Sequence, residues 1–390
     1  MTLLFPDNIL TTQRKFIGVY TPAIREAESP QPRSMSVRSG APPTSWDHHL
    51  YSPLAYATEN MQATQPFTVV ITGGTGSFGQ AFTAYLLENT PHHVRIFSRD
   101  EHKQEEMWSS CPPSARLTYI LGDVRDRDRL ETAFDSADVV IHAAALKIVR
   151  TGEIHSDEVM KTNIVGTANV VMAALTTGVR RSLLISSDKA VSPINDYGVS
   201  KAQAERLFIH GNAEGVSRGC TFSVVRGGNV WGSRGSVVET WREAVARGQA
   251  LAVNSEVATR FHMTMPFWTE FVYNVIGMMR GGEIFIPRVR AWRLIDLAFA
   301  FGNPHGIVMN ALRNGDKPHE ALFNEQEAER VRTKGGMFIL EPPDELRAVW
   351  NYQPWTWPAW AWEGTAGGAY TSDAVERVGI DELRSLVNGN

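Results

Sequence analysis

One stretch restricts the fold of this chain more than any other: FTVVITGGTGSFG, residues 67–79. Its first half is a short, β-branched, continuously apolar run, the pattern of a strand buried on both faces of a parallel sheet. Its second half carries Gly73, Gly76 and Gly79 in G-x-x-G-x-x-G spacing, with Thr75, Ser77 and Phe78 between them. The next residues, FGQAFTAYLLEN, have helical periodicity. A strand, a glycine turn and a helix in that order suit a pyrophosphate. Gly73 permits the tight turn, Gly76 lets the backbone approach the ligand, and Gly79 lets the helix pack close to the sheet. The helix N-terminus then offers unpaired amides and partial positive charge. An ordinary glycine turn is the alternative, and it gives no reason for both flanking elements.

The alternation continues: HVRIFSR as strand, EHKQEEMW as helix, RLTYILGD as strand, RDRLETAFD as helix and DVVIHAAA as strand. Ser156 to Thr177 reads as one long helix and RSLLISS as the next strand. This predicts an α/β chain with a Rossmann-type, doubly wound parallel sheet and ligands at the carboxyl ends of its strands. We place an irregular N-terminal arm at 1–65, the dinucleotide domain at 66–228, a smaller substrate-binding domain mainly at 229–345, and a Trp-rich C-terminal segment at 346–390. The stretch NYQPWTWPAWAW in the last reads as packing or a subunit interface more than as a sugar platform.

With 390 residues and 43% hydrophobic content, the chain can bury a large core. Its formal net charge of −4 gives no reason to expect nucleic acid, so an anionic ligand needs local Arg, Lys or helix N-termini. The only cysteines, Cys111 and Cys220, make no metal-binding or disulfide pattern. No metal site is expected. Nothing reads as a secretory signal or a membrane span, and a cytoplasmic location is expected.

At the end of the second strand, Ser98-Arg99-Asp100 lies where the adenosine ribose is read. Arg99 with Lys103 suits a 2′-phosphate through charge-assisted hydrogen bonds, which places NADP ahead of NAD. The alternative is a solvated helix start. Asp123 and Val124 follow the third strand, where Asp123 can accept from the adenine amine. Ala143, Ala144 and Ala145 leave room for the cofactor. Further on, Tyr197 and Lys201 are four residues apart in YGVSK, on one helix face. A tyrosine with its phenolate favoured by an ammonium can take a hydroxyl proton while a nicotinamide takes the hydride. Just upstream stand Ser186, Ser187, Asp188 and Lys189. A plain oxidoreductase has no use for an extra acid and base there, whereas elimination of water needs both. For Lys189 to act as a base it must be neutral part of the time, by desolvation or a nearby positive charge. A local surface ion pair is the competing reading.

Taken together, TGGTGSFG, SRDEHKQ, GDVRDRDRL, HAAALK, KTNIVGT, SSDKAVSPINDYGVSK, FSVVRGGNVWGSRGSV, TRF, GGEIFIPR and RNGDKPHE resemble the extended short-chain dehydrogenases/reductases. Within that group they resemble the soluble, inverting UDP-N-acetylglucosamine 4,6-dehydratases of polysaccharide biosynthesis. The resemblance runs from about Phe67 to Glu320, and GGAYTSD with IDELRSLV extends it toward the C-terminus. It implies a tightly bound, recycled NADP. In the mechanism it implies, Tyr197, lowered by Lys201 and assisted by Ser187, oxidises carbon 4 of the sugar. Lys189 removes the carbon 5 proton and Asp188 protonates the hydroxyl leaving carbon 6. It also places Lys147, Asn229, Arg234 and Arg260 near the substrate, the two arginines as diphosphate clamps, and Arg313, with His319 and Glu320, in a further family block, Arg313 there as a substrate-binding residue. A UDP-sugar substrate and a homo-oligomer are expected, and no nucleic-acid or membrane partner.

The chain departs from the family around the sugar. Ser187 stands for a Thr, Ile148-Val149-Arg150 for Gln-Val-Pro, Gly227 for a Tyr, and Trp231 for a small aliphatic residue. Val257-Ala258 stands for Arg-Met and His262 for a Trp. A UDP-sugar 4-epimerase shares the fold, Tyr and Lys but needs no eliminating pair; a non-catalytic NADP-binding protein needs neither.

Overall fold

The computed structural model describes residues 65–111, 114–350 and 364–389. The N-terminal arm, except its last residue, and the Trp-rich stretch lie outside them.

The first half alternates as its periodicity predicts: β1 (Thr68–Thr72), α1 (Ser77–Asn89), β2 (His93–Ser98), α2 (Glu101–Ser110), β3 (Leu117–Leu121), α3 (Arg127–Phe134) and β4 (Val139–His142). Then come α4 (Val149–Ile154), α5 (Ser156–Val159), a π-helical turn (Met160–Val165) and α6 (Gly166–Thr177). β5 (Arg181–Ser187) follows, then a 3-10 turn (Asp188–Ala190), α7 (Asp196–His210), α8 (Asn212–Arg218) and β6 (Thr221–Gly227). Val69, Val70 and Ile71 are wholly buried, as a two-sided strand requires. Asp100 and Asp126 start α2 and α3 by accepting from the backbone amides of Lys103 and Arg129.

The expected single helix from Ser156 to Thr177 is interrupted by the π turn. That turn carries Asn163, which is buried. Its Nδ2 donates to the Leu146 carbonyl (3.0 Å) and to Ser200 Oγ (2.9 Å), and its Oδ1 accepts from Leu146 N (2.8 Å). The wider turn admits a polar side chain that clamps the loop after β4 to α7, a local irregularity of the kind found near functional sites.

The second half adds β7 (Asn229–Val230), α9 (Val237–Ala246), β8 (Leu251–Val253), β9 (Thr259–Met263), α10 (Met265–Met278), β10 (Ile284–Pro287), β11 (Ala291–Arg293), α11 (Leu294–Phe301) and β12 (Ile307–Met309). β13 (Ala321–Phe323), α12 (Glu325–Ala328), β14 (Val331–Lys334), β15 (Met337–Leu340), α13 (Asp344–Val349), β16 (Gly364–Thr365), β17 (Tyr370–Thr371) and α14 (Ile380–Val387) complete the described elements. The main sheet runs β16-β14-β15-β10-β6-β5-β4-β1-β2-β3. From β3 to β10 every pairing is parallel; β15, β14 and β16 add an antiparallel edge. Residues past 229 therefore both return to this sheet and build a smaller lobe. That lobe has its own core of Val238, Trp241, Leu251, Val253, Trp292, Leu297 and Leu383. Strand order reverses between β1 and β4, which opens a crevice at their carboxyl ends. Among the described residues no helix is long and apolar enough to cross a membrane.

Candidate active site

A cavity of about 1520 Å³ occupies that crevice and continues to the smaller lobe. It exceeds the roughly 300–1,000 Å³ that encloses one drug-sized ligand. The residues assigned from the sequence to the cofactor, catalytic and substrate sets all line it, whereas His319 and Glu320 do not.

The glycine turn is shaped for close approach. Gly73 has φ +69°, and a Cβ there would meet the Ala144 backbone at 2.7 Å. At Gly79 a Cβ would lie 2.4 Å from the Gly74 carbonyl, so this helix start tolerates no side chain. Gly76 precedes α1 with no side-chain cap and no acidic residue in the first turn, leaving the amides facing the cavity uncompensated. These features fit a dinucleotide pyrophosphate. After β2, Arg99 and Lys103 are about half exposed, but both are engaged. Lys103 pairs with Asp100, which also caps α2, and Arg99 Nη1 lies 3.5 Å from Asp123 Oδ2. Asp123 also accepts from the Arg125 guanidinium at 2.8 and 3.0 Å. The acidic residues expected to read the nucleoside thus hold basic side chains in place, which occupies much of the acceptor capacity that sequence reasoning gave Asp123.

At the other end, β5 delivers Ser187, Asp188 and Lys189, and α7 brings Tyr197 and Lys201 alongside. Ser187 Oγ donates to Asp188 Oδ1 (2.7 Å), and Lys189 Nζ lies 3.2 Å from the same oxygen. Asp188 is buried, and burial pushes its carboxyl above the ordinary range, with the Lys189 charge opposing. A neutral carboxyl is what an acid needs. Lys189 departs from expectation. Burial works against its ammonium, yet Asp188 and Glu320 outweigh that and hold it above its ordinary value. Glu320, which the sequence places in a family block without assigning it to Lys189, has its Oε1 3.2 Å from Lys189 Nζ.

Tyr197 also differs from expectation. Burial raises its phenol, and the leading opposing charge is Lys189, followed by a hydrogen bond with Ser187. Lys201 donates to the Ile185 carbonyl (2.6 Å), and burial draws it down to about 8 with Glu205 opposing.

On the far wall, Asn229 Oδ1 is buried with no hydrogen-bond partner. Arg234 is anchored through its backbone, donating to Ser77 Oγ (3.0 Å) beside the glycine turn. Lys147 and Arg313 are exposed along the cavity. Arg260 is occupied otherwise than as a phosphate clamp: its guanidinium donates to the carbonyls of Thr259 (2.7 Å), Pro318 (3.0 Å) and Lys317 (3.0 Å). It fixes the loop that carries Glu320. Where the family has Tyr, a Cβ at Gly227 would lie 2.8 Å from the Trp268 ring and 2.9 Å from Met263 Cε, so those two side chains fill that space.

A parallel Rossmann sheet with this glycine turn, and a Tyr-x-x-x-Lys helix at the end of its fifth strand, define an extended short-chain dehydrogenase/reductase. The chain belongs to the family described as polysaccharide biosynthesis protein, which matches residues 69–342. It is 39% identical over 280 residues to a UDP-N-acetylglucosamine 4,6-dehydratase (inverting) of Campylobacter jejuni, covering 71% of this chain and 84% of that one. It is 38% identical over 329 residues to a UDP-glucose 4-epimerase of Rickettsia prowazekii, covering 82% and 95%. Among solved structures, Pen from Bacillus thuringiensis superposes with a TM-score of 0.76 at 31% identity, covering 83% of this chain and 98% of that one.

Proposed function

We propose that this protein is an NADP-dependent 4,6-dehydratase of a UDP-N-acetylhexosamine, UDP-N-acetylglucosamine foremost, giving a 4-keto-6-deoxy sugar inverted at carbon 5. The observation that carries the reading is the convergence of a buried Asp188, whose carboxyl burial pushes up, with Lys189, Ser187 and Tyr197 in one part of the cleft. The turn at Gly73–Gly79 would hold the pyrophosphate, and Ser98, Arg99 and Lys103 the adenosine end, where two basic side chains favour a 2′-phosphate. A bound nicotinamide supplies a hydride acceptor and later a hydride donor, so no soluble reductant is consumed. Tyr197 takes the carbon 4 hydroxyl proton, Lys189 the carbon 5 proton, and Asp188 protonates the hydroxyl that leaves carbon 6. Ser187 hydrogen-bonds both Tyr197 and Asp188, so the proton gained by the phenolate can replace the one lost with water. Lys147, Asn229, Arg234 and Arg313 face the nucleotide sugar. We expect a cytoplasmic homo-oligomer, as the resemblance implies.

A second reading has support. The epimerase relative aligns over more of this chain than the dehydratase does. Epimerisation needs Tyr197 but no carbon 6 acid. Incubation with UDP-N-acetylglucosamine in heavy water separates the two by mass and proton NMR. Loss of one water with a new methyl signal and deuterium at carbon 5 supports dehydration. Unchanged composition with an inverted carbon 4 would establish epimerisation instead.

A further inference from the structure

Glu320 does not line the cavity; it lies behind Lys189, 2% exposed. Its Oε1 is 3.2 Å from Lys189 Nζ, the same separation as Asp188 Oδ1 on the other side. Arg260 Nε and Lys317 Nζ each stand 3.9 Å from its carboxylate, and its Oε2 is buried with no hydrogen-bond partner. The backbone around it is fixed. Glu320 N donates to Ser372 Oγ (3.0 Å), Ser372 N donates back to the Glu320 carbonyl (2.8 Å), and Lys317 Nζ ties the loop to the Val191 carbonyl. A buried carboxylate held this firmly behind an amine, with no access of its own to the cleft, acts on ligand only through that amine.

The dehydration proposed above, on which this inference rests, needs a neutral acid and a neutral amine at once. In the triad burial pushes Asp188 up, the Asp188 and Glu320 charges hold Lys189 up, and the Lys189 charge with Arg260 holds Glu320 down, directions that favour carboxyl, ammonium and carboxylate in turn. Carboxyl, amine and carboxyl contain the same number of protons. The two arrangements differ by one transfer along the contact between Lys189 Nζ and Glu320 Oε1. We propose that Glu320 is the proton acceptor that converts Lys189 into the base for carbon 5. The Lys189 N–H bond breaks as the Glu320 O–H bond forms; then the carbon 5 C–H bond breaks as N–H reforms on Lys189. Under inversion, carbon 5 regains a proton from water on its other face, and the site discharges its surplus proton to water, so the count closes. The other charged or titratable groups facing Lys189 are Asp188, Tyr197 and Arg260, with Lys317 behind Glu320. Glu320 is thus a positioning and relay residue, not one that touches substrate.

The test uses the full-length protein with UDP-N-acetylglucosamine in heavy water. It follows carbon 4 oxidation by reduced-cofactor absorbance, deuterium entry at carbon 5, and water loss. Glu320→Gln keeps the shape but cannot accept the proton. Its carbon 5 exchange and water loss should fall roughly 10²–10⁴-fold at every pH, with carbon 4 oxidation retained. Glu320→Asp should lie between Gln and wild type. If Glu320 only pairs with the ammonium, its removal frees the amine, so Glu320→Gln would eliminate at or above the wild-type rate with a lower pH optimum. That result overturns the proposal, and so does an Asp variant no faster than Gln. Should Glu320→Gln fail to fold, Glu320→Asp decides alone: slowed carbon 5 exchange with normal carbon 4 oxidation is expected, and wild-type exchange overturns it. A wild-type protein that removes no water refutes the dehydratase reading and this inference together; wild-type elimination with an indifferent Glu320→Gln refutes this inference only.

Discussion

Arg226 is the charge whose removal should disturb this protein most. It sits one residue before the end of β6, 2% exposed, and its guanidinium is saturated by the chain. Nε and Nη2 donate to Glu205 Oε1 (3.1 Å) and Oε2 (2.7 Å), Nη1 and Nη2 to Glu327 Oε2 and Oε1 (both 3.0 Å), and Nη1 to the Leu322 carbonyl (2.8 Å). Glu205 lies on α7 one turn beyond Lys201, and Leu322 lies two residues beyond Glu320. The clasp therefore ties the helix of Tyr197 and Lys201 to the strand that follows the Glu320 loop. In Arg226→Met, Glu327 can hydrate because its side chain is 20% exposed, but Glu205, at 6%, is left buried with Ser186 as its remaining side-chain donor. Stranding a buried charge in this way costs about 3–5 kcal/mol, against a typical total of roughly 5–15 kcal/mol. The double variant Glu205→Gln/Arg226→Met removes that charge and should regain about 2 kcal/mol of the loss, since an ion pair replaced as a whole is far less costly than one broken. Urea denaturation with the slope compared across variants measures both. A single variant that loses less than about 1 kcal/mol, the level of a surface pair, would refute the assignment. A double variant as unstable as the sum of its singles would do the same.

Other expectations follow from the cleft. Gly79→Ala puts a Cβ 2.4 Å from the Gly74 carbonyl, so the turn must shift; calorimetry should show dinucleotide affinity weakened about tenfold or more, with about 1–3 kcal/mol of stability lost. Arg99→Ala should weaken NADP by about 1.5–3 kcal/mol and leave NAD nearly unchanged; equal effects on both would remove Arg99 from 2′-phosphate recognition. Burial draws Lys201 down to about 8, so kcat/KM should decline as pH rises through that value and the ammonium is lost, with no such limb in the slower Lys201→Met. The depression has a second consequence, with the opposite sign for stability. Between pH of about 8 and the unfolded value of about 10.4, the unfolded chain binds more protons, so resistance to denaturant should increase with pH and flatten in Lys201→Met.

How far the sequence carried these conclusions depends on the distance over which each feature is determined. The glycine turn, the strand ends at Ser98 and Ser187, and the four-residue spacing of Tyr197 and Lys201 are local, and all of them line one cavity. The π turn was not legible, because its apolar period is close to that of an ordinary helix; only the buried Asn163 in KTNIVGT hints that a polar side chain must turn inward. Arg226 carried a stronger signal. A charge inside FSVVRGG, an otherwise apolar strand, has to be paired, yet nothing local says that its partners come from α7 and from α12. Protonation was the least legible property. Spacing placed Lys201 near Tyr197, but burial and the neighbouring Lys189 govern that phenol more strongly, and Lys189 itself answers to Glu320, brought in from a distant loop by Arg260, Lys317 and Ser372. A motif fixes which groups meet, whereas the charge each one holds is set by everything that folds behind it. On the proposed function, the departures at Gly227, Trp231 and His262 would then bear on which nucleotide sugar enters, and the residues behind Lys189 on whether, once there, it loses water.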